Sequence, residues 1–122
     1  MSYEIYWEPG GVVKHFSGRV SNRELIQSVR DTLDNIRFDS LRYVIYDFED
    51  ITKLSSAGSD VDYFTAVDKV HVQSNPNIRI AIVTRTSEIV GLVNEYAKSP
   101  LNAYPSETFD TIVDARVWLM SD

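Results

Sequence analysis

Tyr43–Phe48, with the sequence YVIYDF, is the stretch that decides the fold class. Its residues are mostly β-branched or aromatic, and they lack a regular alternation of apolar and polar side chains. This pattern is typical of a central strand that is buried on both faces of a sheet. Helices are then needed on the two sides of that sheet, so the flanking sequence is expected to alternate between strands and helices.

The N-terminal flank predicts a hairpin followed by a helix. Apolar and polar residues alternate over residues 3–8, and a Pro/Gly turn leads to a second strand over residues 11–19. Ser21 and Glu24 have the spacing of a capping box, which begins a helix. The apolar face predicted for this helix is made by residues at helical spacing, namely Leu25, Ile26, Val29, Leu33 and Ile36.

The C-terminal flank continues the alternation. It predicts a helix over residues 60–73, a strand over residues 78–84 and a helix over residues 87–97. A short strand at Phe109 and a final helix capped by Asp110 or Thr111 complete the order. The sequence therefore predicts one α/β domain over residues 1–122, with a mostly parallel central sheet, an N-terminal hairpin and about four helices.

Composition excludes several classes of protein. The chain has no cysteine, which excludes disulfide scaffolds, thiolate zinc sites and a cysteine nucleophile, and which agrees with a cytoplasmic location. A net charge of −6 without a basic run argues against a nucleic-acid partner. The N-terminal residues lack the pattern of a signal peptide and no apolar run is long enough to span a bilayer, so membrane insertion is not expected. The two histidines, His15 and His71, lack metal-ligand spacing, so neither a metal nor another cofactor is expected.

Residues 47–58, DFEDITKLSSAG, carry a resemblance to the STAS family of sulfate-transporter and anti-sigma-factor-antagonist domains, and most closely to its SpoIIAA-like branch. In that family a strand ending in Asp leads through a short apolar turn into an Asp-Ser-x-Gly segment that opens the second helix. In this register, Ser56 falls on the serine that regulatory members phosphorylate and Gly58 falls on the glycine. Ser55 stands where the family has its aspartate. Two further segments resemble the family, namely Gly18–Ser21 and Phe109–Leu119.

The resemblance implies a non-enzymatic module of bacterial signalling that binds another protein, such as an anti-sigma-type kinase. It also implies regulation by phosphorylation at Ser56, although the substitution at position 55 weakens that part. The partner surface is expected at the turn and comprises Asp47, Leu54, Ser55, Ser56 and Gly58. From the residues alone, the same turn is explained by an ordinary helix cap.

Three other interpretations stay open at this stage. The acids Asp47, Glu49 and Asp50 could hold a hard cation, but a solvated loop edge is favoured because the spacing specifies no third ligand. A trio of Ser56, His71 and Asp47 can be written down, but Gly-x-Ser-x-Gly is absent and no catalytic residue is assigned. The edge position expected for the first strand makes a homodimer plausible.

An apolar ligand is the alternative function. The aromatic residues Tyr63, Phe64 and Tyr96 could line an apolar pocket beside the sheet, or they could simply pack in the core. SpoIIAA-like domains resemble lipid-carrying CRAL-TRIO domains in architecture, so a small apolar molecule or a lipid is the ligand this analogy implies.

Overall fold

The computed structural model describes residues 3–55, 77–87, 90–91 and 105–121. These residues form an α/β fold around a five-stranded sheet whose spatial order is β1-β2-β3-β4-β5. The strands are Tyr3–Glu8 (β1), Gly11–Ser21 (β2), Tyr43–Ser55 (β3), Arg79–Val83 (β4) and Ser106–Phe109 (β5). The helices are Asn22–Leu33 (α1) and Ile112–Met120 (α2), with a 3-10 turn over Ile36–Ser40.

The sheet is mixed, as predicted. β1 and β2 form an antiparallel hairpin, while β2, β3, β4 and β5 run parallel to one another. Gly10 in the hairpin turn has a φ of +76°, and a glycine with positive φ directly after Pro9 is typical of a type II turn. The predicted hairpin and the edge position of β1 are confirmed.

The first helix begins where the sequence predicted and ends earlier. Ser21 is its N-cap, and the reciprocal bonds with Glu24 of a capping box are present. The prediction that Ile36 belongs to the buried face is wrong, because this residue is 93% exposed. The Asn35 side chain accepts a hydrogen bond from the backbone of Arg37 and starts the 3-10 turn, so α1 ends before Ile36.

Two apolar clusters lie on opposite sides of the sheet. The cluster on the α1 side includes Phe16, Val44 and Phe48, and the cluster on the α2 side includes Ile45 and Ala115. Neighbouring residues of β3 therefore point into different clusters, because successive side chains of a strand alternate between faces. The prediction that Tyr43–Phe48 forms a strand buried on both faces is confirmed.

Polar contacts fix α2 against the sheet. Thr111 is its N-cap, which decides between the two predicted caps. Arg116 donates two hydrogen bonds to the Glu8 carboxylate, at 2.8 and 3.2 Å, and so joins the helix to the hairpin. At the other end of α2, the Arg79 guanidinium donates to the carbonyl oxygens of Trp118 and Ser121.

The helix count differs from the prediction in the part of the chain that the structure describes. Two α-helices are described there in full, whereas about four were predicted. The helix predicted over residues 60–73 lies outside the described residues, and of the one predicted over residues 87–97 only positions 87, 90 and 91 are described, all helical. Neither described helix combines the length and apolar character needed to cross a bilayer.

Candidate functional site

The carboxyl ends of β2 and β3 extend past the rest of the described sheet. β4 pairs with β3 only from Tyr43 to Asp47, whereas β2 accompanies β3 as far as Ser55. We call the extension, Ser17–Ser21 with Asp50–Ser55, the ribbon. Open α/β sheets bind their ligands beyond the carboxyl ends of the strands, so the ribbon is a candidate functional site.

The prediction of a turn directly after Phe48 is wrong, since β3 continues as a strand to Ser55. Two register shifts accommodate the added length. His15 aligns with Asp47 and Ser17 aligns with Asp50, so β3 has one residue more than β2 in this interval. An extra residue reverses the order of faces further along a strand. As a result Asp50, and not Glu49, lies on the same face as Asp47.

A second shift lies between Gly18 and Arg19 of β2. Gly18 has a φ of +67°, a conformation that residues with a side chain rarely adopt. A Cβ atom built on it would meet nothing within 4 Å, so the backbone conformation is what requires glycine there, and not a lack of space.

His15 is held between two carboxylates where the ribbon begins. Its Nδ1 lies 3.0 Å from Oδ2 of Asp47, and its Nε2 lies 3.0 Å from Oδ2 of Asp50. The Nδ1 contact is a hydrogen bond and the Nε2 contact is an ion pair, and a carboxylate beside each ring nitrogen favours a proton on both, so the ring that fits this geometry is the imidazolium. We call His15, Asp47 and Asp50 the histidine clamp.

The surroundings of the clamp favour the charged ring. The hydrogen bond to Asp47 is the main reason that the pKa of His15 is raised, and the negative charges of Asp47, Asp50 and Glu4 add to it, while burial opposes it. Glu4 belongs to β1 and stands opposite His15 in the hairpin. Since a carboxylate lies 3.0 Å from each ring nitrogen and favours its protonated form, His15 is poorly placed to act as a general base in this arrangement.

Asp47 is the structural centre of the clamp. Its Oδ1 accepts a hydrogen bond of 3.1 Å from the backbone N–H of Glu49, inside the bulge, while Oδ2 faces His15. Asp47 is only 8% exposed. Because β3 continues as a strand, the Asp47 side chain is turned toward His15 of β2, and its predicted role in a partner surface stays a prediction.

The other predicted site residues lie at the end of β3 or beyond it. Leu54 and Ser55 are the last residues of that strand, where the backbone is described, and Ser55 aligns with Ser21, the N-cap of α1. The remaining predicted residues lie outside the described part of the chain, so their roles stay predictions: Ser56, Gly58, Tyr63, Phe64 and Tyr96. His71, of the hypothetical catalytic trio, lies there too.

The acids of this segment do not form a cation site. Within residues 3–55, 77–87, 90–91 and 105–121, no three His, Asp or Glu side chains are placed to hold a metal ion. Asp47 and Asp50 instead share one histidine. The preferred interpretation, a solvated loop edge, holds for the exposure of Glu49 and Asp50, but these residues belong to a strand and not to a loop.

Two ionisable residues in the first half of β2, Lys14 and His15, were not predicted as site residues from the sequence. Lys14, 1% exposed, donates from Nζ to the carbonyl oxygen of Ser28 at 2.9 Å and lies 4.9 Å from the centre of the Tyr46 ring. His15, next to it, points to the other face and enters the clamp. Charged groups inside the first half of a strand whose other residues there are buried and apolar must find partners, and that was the available signal.

Comparisons with known proteins support the fold. No model of a known protein family matches the chain, and no curated protein sequence does. Among solved structures, the anti-sigma factor antagonist SpoIIAA in its unphosphorylated form matches with a TM-score of 0.66 and 11% identity, over 98% of this chain and 99% of that one. An uncharacterised DUF3478-family protein with a SpoIIAA-like fold, from Shewanella loihica PV-4, matches with a TM-score of 0.55 and 16% identity, over 96% and 91%.

Proposed function

We propose that this chain, a STAS-like domain with the SpoIIAA-like fold, is a non-enzymatic module that binds another protein at the carboxyl edge of its sheet. The likeness to an anti-sigma factor antagonist over 98% of the chain supports this proposal. The observation that carries it is the register of Ser55 with Ser21. This register places Ser55, the residue that precedes Ser56 in the sequence, beside the N-cap of α1, at the edge where such sheets bind their ligands.

The exposed residues of the ribbon suit a polar protein surface. Ser17, Arg19, Asp50 and Thr52 are exposed, as is the adjoining Glu49, and they mix both signs of charge with hydroxyl groups. Such a mixture is typical of the rim of a protein–protein interface. An anti-sigma-type kinase is the kind of partner that the family resemblance implies.

Phosphorylation of Ser56 is the regulatory part of the proposal. A phosphoryl group adds about −1.5 to −2 charges at neutral pH. In a chain of net charge −6, with Asp50 already at this edge, the added charge would repel an acidic partner. Ser55 in place of the family aspartate leaves one negative charge fewer beside the acceptor.

The geometry of the histidine clamp favours binding over catalysis. The acid–base group of the site, His15, is hydrogen-bonded to Asp47 through Nδ1 and lies in an ion pair with Asp50 through Nε2, so a carboxylate occupies the space beside each nitrogen. A cytoplasmic location, and a homodimer formed through the edge strand β1, belong to the same proposal. The apolar-ligand alternative rests on Tyr63, Phe64 and Tyr96, and no observation on the described residues favours it.

Affinity capture from a bacterial lysate, followed by mass spectrometry, tests the proposal. The wild type is compared with Ser56→Ala and Ser56→Asp, and with Ser40→Asp as a matched control, since Ser40 is exposed at the opposite end of β3. We expect the wild type, Ser56→Ala and Ser40→Asp to retain one specific partner that Ser56→Asp loses. If no variant retains a specific protein, the binding function is wrong. If all four retain the same one, only the phosphorylation switch is wrong.

A further inference from the structure

The histidine clamp stands at the point where the sheet narrows to the ribbon. His15 lies in β2, one residue before the first register shift, and its two carboxylate partners lie on either side of the extra residue in β3. The clamp therefore joins the two strands across their irregular interval. Backbone pairing is weakest at such a bulge, which leaves side-chain contacts to hold the strands together there.

The clamp depends on the protonation of one ring. A neutral imidazole carries a single N–H and can donate to only one carboxylate, and its other nitrogen is an acceptor. An acceptor nitrogen facing a carboxylate oxygen at 3.0 Å is repulsive, so one of the two contacts has to open. The side chain of Asp50 is 65% exposed and that of Asp47 is 11% exposed, so the contact with Asp50 is the one that opens, because water can solvate the released carboxylate.

Within the described part of the chain, the charged groups facing His15 all favour the proton. From β3 these are Asp47 and Asp50, and from β1 Glu4. Lys14, the neighbour of His15 in β2, points to the other face and lies under α1. The only ionisable residue of β4, Arg79, lies at the far end of its strand and donates to the end of α2.

We propose that His15 is a pH-sensitive latch: the protonated ring holds the ribbon paired, and loss of the proton releases Asp50 and loosens the strand that leads to Ser56. The proposal is independent of any partner, because it concerns the free chain. The direction of the pH effect follows from the linkage between proton binding and folding. A histidine whose pKa is raised on folding stabilises the fold fully below its ordinary pKa of 6.5, and that stabilisation is lost as pH rises through the raised value.

The first test is an NMR titration of the imidazole protons. His15→Gln leaves only the signal of His71 and so identifies the signal of His15. We expect His15 to titrate above 6.5 in the wild type and lower in Asp50→Asn, whose amide can donate to a neutral ring. Asp50 is exposed, so this variant should keep the fold. A wild-type value at or below 6.5, or one that Asp50→Asn leaves unchanged, overturns the proposal.

The second test reads the ribbon itself by amide hydrogen exchange, expressed as protection factors so that base catalysis cancels. Protection of Asp50–Ser55 should fall by about threefold or more as pH rises through the titration of His15, whereas that of Tyr43–Ile45 in the same strand should not change. In His15→Gln the ribbon should show no such step. The proposal is contradicted if the protection factors of the ribbon do not change with pH, or if they fall by the same amount in His15→Gln.

Discussion

Replacing Asp47 should reveal how much the histidine clamp contributes to stability. This carboxylate accepts one charge-assisted hydrogen bond from His15 and one from the Glu49 backbone. Bonds to charged groups contribute about 1.5–3 kcal/mol, and the bond from the uncharged Glu49 N–H belongs at the lower end of that range. The side chain of His15 is 30% exposed, so water can hydrogen-bond to it when Asp47 is removed, and this reduces the free-energy cost of the substitution. We therefore expect Asp47→Ala to lower the free energy of unfolding by about 2–3 kcal/mol.

Asp47→Asn separates the two bonds, because the amide oxygen still accepts from the Glu49 N–H. Its cost should be about 1–2 kcal/mol and should come mainly from the lost bond to His15. Urea unfolding followed by the fluorescence of Trp7 and Trp118 measures both variants, with the exposed neighbour Glu49→Gln as control. The loss in Asp47→Asn should be larger near pH 6 than near pH 9, because the stabilisation from a raised histidine pKa disappears as pH rises.

Three results would refute this account of Asp47. Both variants could lie within about 0.5 kcal/mol of the wild type, which is the range of surface substitutions. Glu49→Gln could cost as much as Asp47→Ala, which would mean that the effect follows the charge of the segment and not the clamp. The loss in Asp47→Asn could also grow with pH, which would reverse the sign that a protonated His15 requires.

Further predictions concern the hairpin and the helices. Arg116→Ala should cost about 1 kcal/mol of stability by breaking the partly exposed pair with Glu8. Arg116 holds the pKa of Glu8 below its ordinary value, so this cost, measured by urea unfolding, should shrink as pH falls through the lowered pKa. Ser21→Ala should cost about 1 kcal/mol through the lost N-cap, with Ser21→Asp restoring it, and equal urea midpoints would contradict this. Gly11→Ala should cost about 2 kcal/mol or more because its Cβ would overlap the Tyr43 ring, and an unchanged Tm would refute that contact.

Local patterns predicted most of the fold because their causes are local. The capping box at Ser21, the Pro/Gly hairpin turn and the doubly buried run at Tyr43–Phe48 each depend on a few neighbouring residues. The end of α1 depends on whether a side chain replaces the helical hydrogen bonds of the backbone, and the spacing of apolar residues does not show this. Asn35 offers its side chain to the backbone of Arg37, and this ends the apolar face before Ile36.

The candidate site was harder to predict because it depends on register. Pairing of β2 with β3 follows from the topology, but the two shifts that extend β3 to Ser55 follow from contacts between strands. Without the first shift, the alternation of faces places Glu49 beside Asp47, and Asp50 is then no partner for His15. A short loop was the simpler expectation for residues 49–55, and the bulges are what make a strand of them.

Site-specific crosslinking tests the central claim, that a protein partner docks at the carboxyl edge. A photoreactive amino acid is placed at Thr52 in the ribbon or, as control, at Asp39 in the 3-10 turn; both positions are exposed, and they lie toward opposite ends of β3. Irradiation in cells followed by mass spectrometry identifies what each position touches. The account predicts a specific protein crosslinked from Thr52 and absent from Asp39. A partner captured from Asp39 and not from Thr52 would contradict it.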